Sequence, residues 1–499
     1  MAMKRRTLLA AGLGAAAWLG GRPAIAAEAA HPDDAGDADL GIVNRLTWGA
    51  DSRSLAEYGR LGRRDYIARQ LHPDAAAGLP PAVEARIGAL GSMRQPMLAA
   101  VAELQRQRRA ADALIDDAAK QAARRDYRRA LDGLANDAAT RALLRAVHAP
   151  NPLQDQMTWF WFNHFNVHRR KANVGAMVGD YEDHLRPHAL GRFRDLLLAS
   201  ATHAAMIRYL DNEQNAAGHL NENYARELME LHTLGVDGGY AQQDVQELAR
   251  VLTGLGLELG DAAPGRRAVA VGNAGVVFRP ARHDMGTKHV LGVAIEGRGW
   301  DEIEAQLLRL ARHPATARHV SRRLATWFVA DEPPAALAER MQHAYTASDG
   351  DIAVTLQAMF DAPEFAASLG RKFKDPIHYV VSAVRLVGDG QVLTDAAPLA
   401  GWLDRLGEGL YNRATPDGYP LAAAAWSGSG QLSTRFEIAQ AIGSGRVPAF
   451  DAPAAWQDGA AARAIAATFG PRTRAALEAA RTPQERTALF LSAPEFMVR

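Results

Sequence analysis

The strongest constraint on this chain is the period of its apolar residues, which is helical almost from end to end. From 42 to about 149, apolar side chains recur every three or four residues between Ala- and Arg-rich stretches, as in LAAVAEL (98–104) and ALLRAV (142–147). That spacing lays one apolar stripe along a helix. HAPNP at 148–152 breaks the pattern, because a proline removes a donor and pushes the residue before it out of helical conformation. Helical spacing resumes through MTWFWFNHF and runs to about 255. Only 266–299 differs: the β-branched runs AVAVG, GVVFRP and HVLGVAIEG, separated by Gly, Asn and Pro, predict a small β-hairpin or three-stranded insertion. Helical periodicity returns from 300 to 386 with Pro314 as a first-turn proline, 388–430 reads as long loops, and two or more helices close the chain. The expected fold class is mainly α, a multi-helical globular protein with that β insertion. With 499 residues, the chain exceeds the roughly 250–300 at which single cores stop growing. Helical subdomains are therefore expected at 40–149, 150–260 and 300–499, packed closely around the insertion at 261–299. The near-repeat of LQAMFDAPEF (356–365) in ALFLSAPEF (488–496) reads as a helix, a turn and a first-position proline.

The N-terminus carries an address. MAMKRRTLLAAGLGAAAWLGGRPAIAAEAA has paired Arg5 and Arg6, an apolar Ala/Gly-rich run from Leu8 to about Leu19, and an A-x-A site at Ala24-Ile25-Ala26. Residues 1–26 thus read as a signal peptide of the twin-arginine type, 27–39 as a flexible leader, and the location as periplasmic or extracellular. The apolar run falls short of the roughly 20 residues of a spanning helix, and no later segment reaches that length, so no membrane span is expected in the mature chain. The chain has no cysteine, which excludes disulfides, c-type haem, iron–sulfur clusters and thiolate zinc sites. A metal here would be a divalent cation held by oxygen and nitrogen ligands. A formal net charge of +1, with basic runs interleaved with acids, gives no reason to expect a nucleic-acid partner.

The densest polar chemistry lies at 221–240, NENYARELMELHTLGVDGGY. On a helical wheel Glu222, Asn223, Arg226, Glu227 and Glu230 share one arc, while Leu231, Tyr224, Leu228, Ala225 and Met229 form the other and Gly235 ends the helix. His232 falls on the apolar arc and cannot meet Glu227 while the helix stays regular. Glu222 and Glu230 bracket Arg226 at i±4, the arrangement of exposed ion pairs. Glu227 has no cationic neighbour at i±3 or i±4 and lies one turn from Glu230. The pair concentrates negative charge that a cation or a cationic substrate group must offset. Asp211 and Asn221 upstream add short polar side chains, which build turns and also serve as hard oxygen ligands.

Two further clusters draw notice. In the aromatic run, Asn163 and His164 intrude on an otherwise apolar helix that should be interior, and burying either without a partner is costly. His168 stands at i+4 from His164, but Arg169-Arg170-Lys171 repels a cation there. In RHDMGTKH, His283 beside Asp284, with Lys288 following, offers a general acid–base on a Gly-containing loop or simply a charged turn. No nucleophile elbow, P-loop, dinucleotide fingerprint or H-E-x-x-H pattern occurs.

HLNENYARELMELHTLGVDGGYAQQDVQELARVLTGL resembles the signature of the bacterial family called domain of unknown function 1800. WFWFNHFNV, FRPARHDMGTKHVLG, HPATARHVSRRLATWFVADEPP and KFKDPIHYVVSAVRLVG follow in the family's order. The resemblance implies an exported bacterial protein without established activity, encoded beside a sulfatase-like protein that would be its partner. TPDGYP at 415–420, ahead of Trp426, departs from the family's Pro-Pro-Asn-Val-x-Gly-Trp-like segment. Two functional readings stay open. One is a hydrolase or metal-assisted enzyme with His164, Glu227, Glu230 and His283 as catalytic groups. In it Asn163, Asp211, Asn221, Glu222, Arg226, Asp284 and Lys288 bind ligand, and Glu227 and Glu230 bind metal. The other is a noncatalytic binding or assembly partner of the sulfatase-like protein.

Overall fold

The computed structural model describes residues 34–74, 76–260, 268–445 and 456–499. The signal-peptide reading and the first part of the leader lie outside those residues. The end of the leader reading is corrected, because a helix spans Asp34–Leu46. Its second half packs Leu40, Ile42, Val43 and Leu46 into the core, and a helix nucleated by packing extends one residue at a time at little further cost.

The other helices follow from the local signals. Asp116 caps the long helix Asp117–His148 by accepting a hydrogen bond from the Ala119 amide at 2.8 Å. The HAPNP break ends it, and Pro152 opens Pro152–His164 in the first turn, where its missing N–H is not needed. This aromatic helix is buried on every side apart from Gln154, as its all-round apolar character predicts.

The β insertion contains both alternatives drawn from its sequence. Strands β1 (Leu255–Leu257), β2 (Val269–Ala270) and β3 (Val276–Phe278) form an antiparallel sheet of order β1-β3-β2, with Leu255 opposite Phe278. Strands β4 (Lys288–Val290) and β5 (Val293–Ile295) form a separate hairpin. Its two-residue turn places Leu291 (φ 52°) and Gly292 (φ 73°) in the left-handed region, the turn geometry that matches strand twist. Strand β1 lies where the sequence reads as the tail of a helical run.

One apolar cluster runs from Leu40 to Met497 and is shared by all three helical segments. Buried arginines tie distant parts of the chain around it. Arg385, in the helix Pro376–Gly388, donates to the Gly49 and Val147 carbonyls and pairs with Asp51 at 2.8 Å. Arg45 donates to the carbonyls of Phe328, Ser368 and Arg499. No described helix is long and apolar enough to cross a membrane.

Candidate functional site

The 221–240 motif does not form a regular helix. Asn223–Glu227 is α-helical, but Leu228–Thr233 widens into a π-turn. The Leu234 amide reaches back five residues to the Met229 carbonyl at 2.8 Å, and Thr233 Oγ1 donates to the Leu228 carbonyl at 2.6 Å. Two carbonyls of its last turn, which have no partner within the helix, are taken by histidines from other helices. His164 Nε2 bonds the His232 carbonyl at 3.0 Å, and His319 Nε2, from the helix Pro314–Phe328, bonds that of Leu231 at 3.2 Å. A carbonyl only accepts, so both rings carry their proton on Nε2 and keep a lone pair on Nδ1. Gly235 closes the turn with φ 84°, and a Cβ there would lie 2.9 Å from His319 Nδ1.

Three imidazoles therefore meet in the core, with His164 ring centroids 6.3 Å from His232 and 5.9 Å from His319. Burial, reinforced by the neighbouring Arg323 cation, pushes the His232 pKa down to about 3 and that of His319 to about 4, and holds His164 well below the usual range. All three are uncharged near neutral pH. His164 Nδ1 and His232 Nε2 are buried without a hydrogen-bond partner. Arg323 forms no hydrogen bond or ion pair among the described residues, and its Nε is buried. Burial pushes its pKa down to about 10 while Asp417 pulls it up.

The carboxylates divide into a paired and an unpaired set. Glu222 meets Arg226 at 3.1 Å, and Gln242 bridges the two, donating to Glu222 at 2.7 Å and accepting from Arg226 at 2.8 Å. The expected sharing of Arg226 with Glu230 does not occur, since Arg226 is taken by Glu222 and Gln242. Glu230 is left with no hydrogen bond or ion pair among the described residues. Glu227 is half-buried and likewise unpaired. Its pKa is raised by burial first, then by the like charges of Glu230 and Asp417, with Arg226 opposing.

Asp417 belongs to the loop that departs from the family pattern, and that loop is clamped over this region. Asn163 Nδ2 donates to the Tyr419 carbonyl at 3.0 Å and its Oδ1 accepts from the Tyr419 amide at 2.5 Å. Asn166 Nδ2 holds the Arg413 and Thr415 carbonyls, and Tyr209 Oη donates to that of Ala414 at 2.8 Å. Gly418 (φ 72°) lies so close that a Cβ would stand 2.1 Å from the Asn163 carbonyl oxygen. Asn163 is thus a loop anchor. Asp417 itself pairs with Arg413 at 2.8 Å, and its charge raises the Glu227 pKa and opposes the fall in that of Arg323, so the π-turn, the loop and the helix Pro314–Phe328 share one polar seam.

The sequence model of the family described as "Protein of unknown function (DUF1800)" matches residues 41–498. The chain belongs to this family. No curated protein and no solved structure matches it. The DUF1800 match encloses the whole seam and the remaining candidates. Asp211 adopts φ 60° and accepts from Lys171 Nζ at 2.9 Å, while Asn221 accepts from the Asn223 amide at 3.0 Å, so both shape the approach to the motif helix. His283, Lys288 and Glu302 form a closed triad, with Glu302 Oε1 3.1 Å from His283 Nε2 and 2.5 Å from Lys288 Nζ, all three side chains buried. Burial alone would raise the Glu302 pKa, but the hydrogen bonds from His283 and Lys288 hold it below its usual value. Asp284 pairs with Arg250 at 2.8 Å. No hydrogen bond or ion pair joins this group to Glu227, Glu230 or His164. It holds the β4–β5 hairpin to the rest of the fold.

His319, Arg323 and Asp417 escaped the sequence reading. The visible signal was a His and an Arg at i and i+4 in HPATARHVSRRL, which ordinary helix periodicity absorbs. Among the described residues, Asp180, His184 and His203 bring three metal-ligand side chains within 4.8 Å of one another. His203 Nδ1 accepts from the Ala205 amide at 3.1 Å, so its Nε2 carries the proton donated to Asp180 at 2.9 Å. A metal at Nε2 would need the opposite tautomer and would forfeit that helix cap.

Proposed function

We propose that this DUF1800 protein is a hydrolase whose proton-transfer group is Glu227. The observation that carries the reading is the contrast within the seam, where an unpaired carboxyl with a raised pKa and an unpaired guanidinium, Arg323, share the neighbour Asp417. A carboxyl above its usual range accepts a proton from attacking water and returns it near neutral pH. The guanidinium stabilises negative charge developing on the attacked centre. The water oxygen bonds to that centre, the bond to the leaving group breaks, and the proton lost by water passes through Glu227 to the leaving group. Glu230 sustains the raised pKa. His164 and His232 offer one free ring nitrogen each to polar atoms of the substrate. On the strength of residues 1–26 we assign the reaction to the periplasm or the exterior, after twin-arginine-type export.

Glu230, which has no hydrogen bond or ion pair among the described residues, favours a second reading in which Glu227 and Glu230 hold a divalent cation. Melting with and without EDTA, and with added Mg²⁺, Ca²⁺, Mn²⁺ or Zn²⁺, separates it from the first, because only a bound cation raises stability with its concentration. The sulfatase-like partner implied by the resemblance finds no support in the comparisons and forms no part of this reading. The hydrolase reading is tested by turnover of p-nitrophenyl esters, phosphates and glycosides. Glu227→Gln should lower kcat about 10²- to 10⁴-fold on whichever class is cleaved, while the fold melts no earlier. Turnover that survives in Glu227→Gln overturns it.

A further inference from the structure

We propose that the cleft between the helix Asp34–Leu46 and residues 366–374 binds a carboxylate-bearing ligand with an apolar body, its carboxylate held by Lys374. The cleft encloses about 640 Å³, a size typical of small-molecule sites. Lys374 lines it while only 3% exposed. Its Nζ donates to Ser382 Oγ at 3.0 Å, stands 3.8 Å from the centre of the Phe496 ring, and forms no ion pair among the described residues. An ammonium group has three donors, and one is used. Burial, then the charges of Arg435 and Arg499, hold its pKa well below that of an ordinary lysine. With no acidic partner among the described residues and one N–H donor engaged by Ser382, the amino group has donors to spare for a ligand carboxylate, whose negative charge favours its protonated form.

The rest of the cleft agrees with that chemistry. Asn44 Oδ1 accepts from the Ala50 amide at 2.8 Å, and among the described residues the Asn44 NH₂ has no hydrogen-bond partner and Arg371, exposed at the rim, has no ion pair. Glu495 also lines the cleft, but its carboxylate is engaged by the Gly470 amide and Thr473 Oγ1. Leu40, Leu369, Ile465 and Val498 complete a wall suited to a hydrocarbon body. The cleft shares no residue with the Glu227 seam, so the proposal stands apart from the hydrolase reading.

Sodium octanoate is the probe, titrated calorimetrically into the full chain, with n-octanol as the same body lacking the charge. Saturable octanoate binding at least about tenfold tighter than octanol is expected, since charge-assisted hydrogen bonds carry such a factor. Lys374→Met should remove that advantage. Ala366→Phe, a change at an exposed position on the cleft wall, should weaken both compounds without altering the core. Absence of saturable octanoate binding, equal affinity for octanol, or binding untouched by Ala366→Phe overturns the proposal. The octanol comparison decides on wild-type protein even if Lys374→Met fails to fold.

Discussion

At the scale of single residues, several groups are buried without a partner for every polar atom among the described residues. His232 shows what this implies for stability. Its pKa is 6.5 in an ordinary environment and about 3 in the fold, so the unfolded chain binds more protons across that interval. Stability therefore falls as pH drops below about 6.5, and the loss continues until the folded-state value is reached. His232→Leu removes the group, and its melting temperature should fall less steeply with acid than that of wild type. Equal slopes would mean that the ring is protonated or solvated in the fold. The amphipathic face of 221–240 and the unpaired state of Glu227 were legible in the sequence, because i±3 and i±4 neighbours can be counted. His319, Arg323 and Asp417 were not, because their meeting depends on long-range packing that no local period encodes.

At the scale of elements, the π-turn is the feature that a wheel drawn at constant pitch cannot show. In its last turn the Leu231 and His232 carbonyls are met by two histidines, and ahead of it Arg226 pairs with Glu222 and not with Glu230. The β insertion was legible because β-branched runs between Gly, Asn and Pro carry a local signal. β1 was not, since LGL continues a helical run and becomes a strand only by pairing with β3. The RHDMGTKH candidates were legible as unusual residues but not as a closed structural triad. The triad makes a direct prediction. Lys288→Met leaves Glu302 buried beside His283 with its cation gone, and loss of one partner of a buried pair costs about 3–5 kcal/mol. Urea unfolding should show a loss of that order, and a change near zero would show that the triad is open to solvent.

At the scale of the whole molecule, the main apolar cluster from Leu40 to Met497 and the Arg385 and Arg45 bridges bind the three helical segments together. Calorimetry should show one main unfolding transition, and Arg385→Met should shift it as a whole. Two transitions that move independently would restore the separate subdomains that chain length suggests. The same global transition reports on Glu227, whose folded pKa is raised above the ordinary 4.5. The folded chain then binds the extra proton, so the group's contribution is fully present below about 4.5 and is lost as pH rises through the folded value. The decisive measurement is the difference in melting temperature between Glu227→Gln and wild type from pH 4 to pH 8. The expected difference grows in favour of the variant as pH rises and levels off above the folded pKa; a difference constant with pH, or one that favours wild type at high pH, would show that Glu227 carries no raised pKa in the fold.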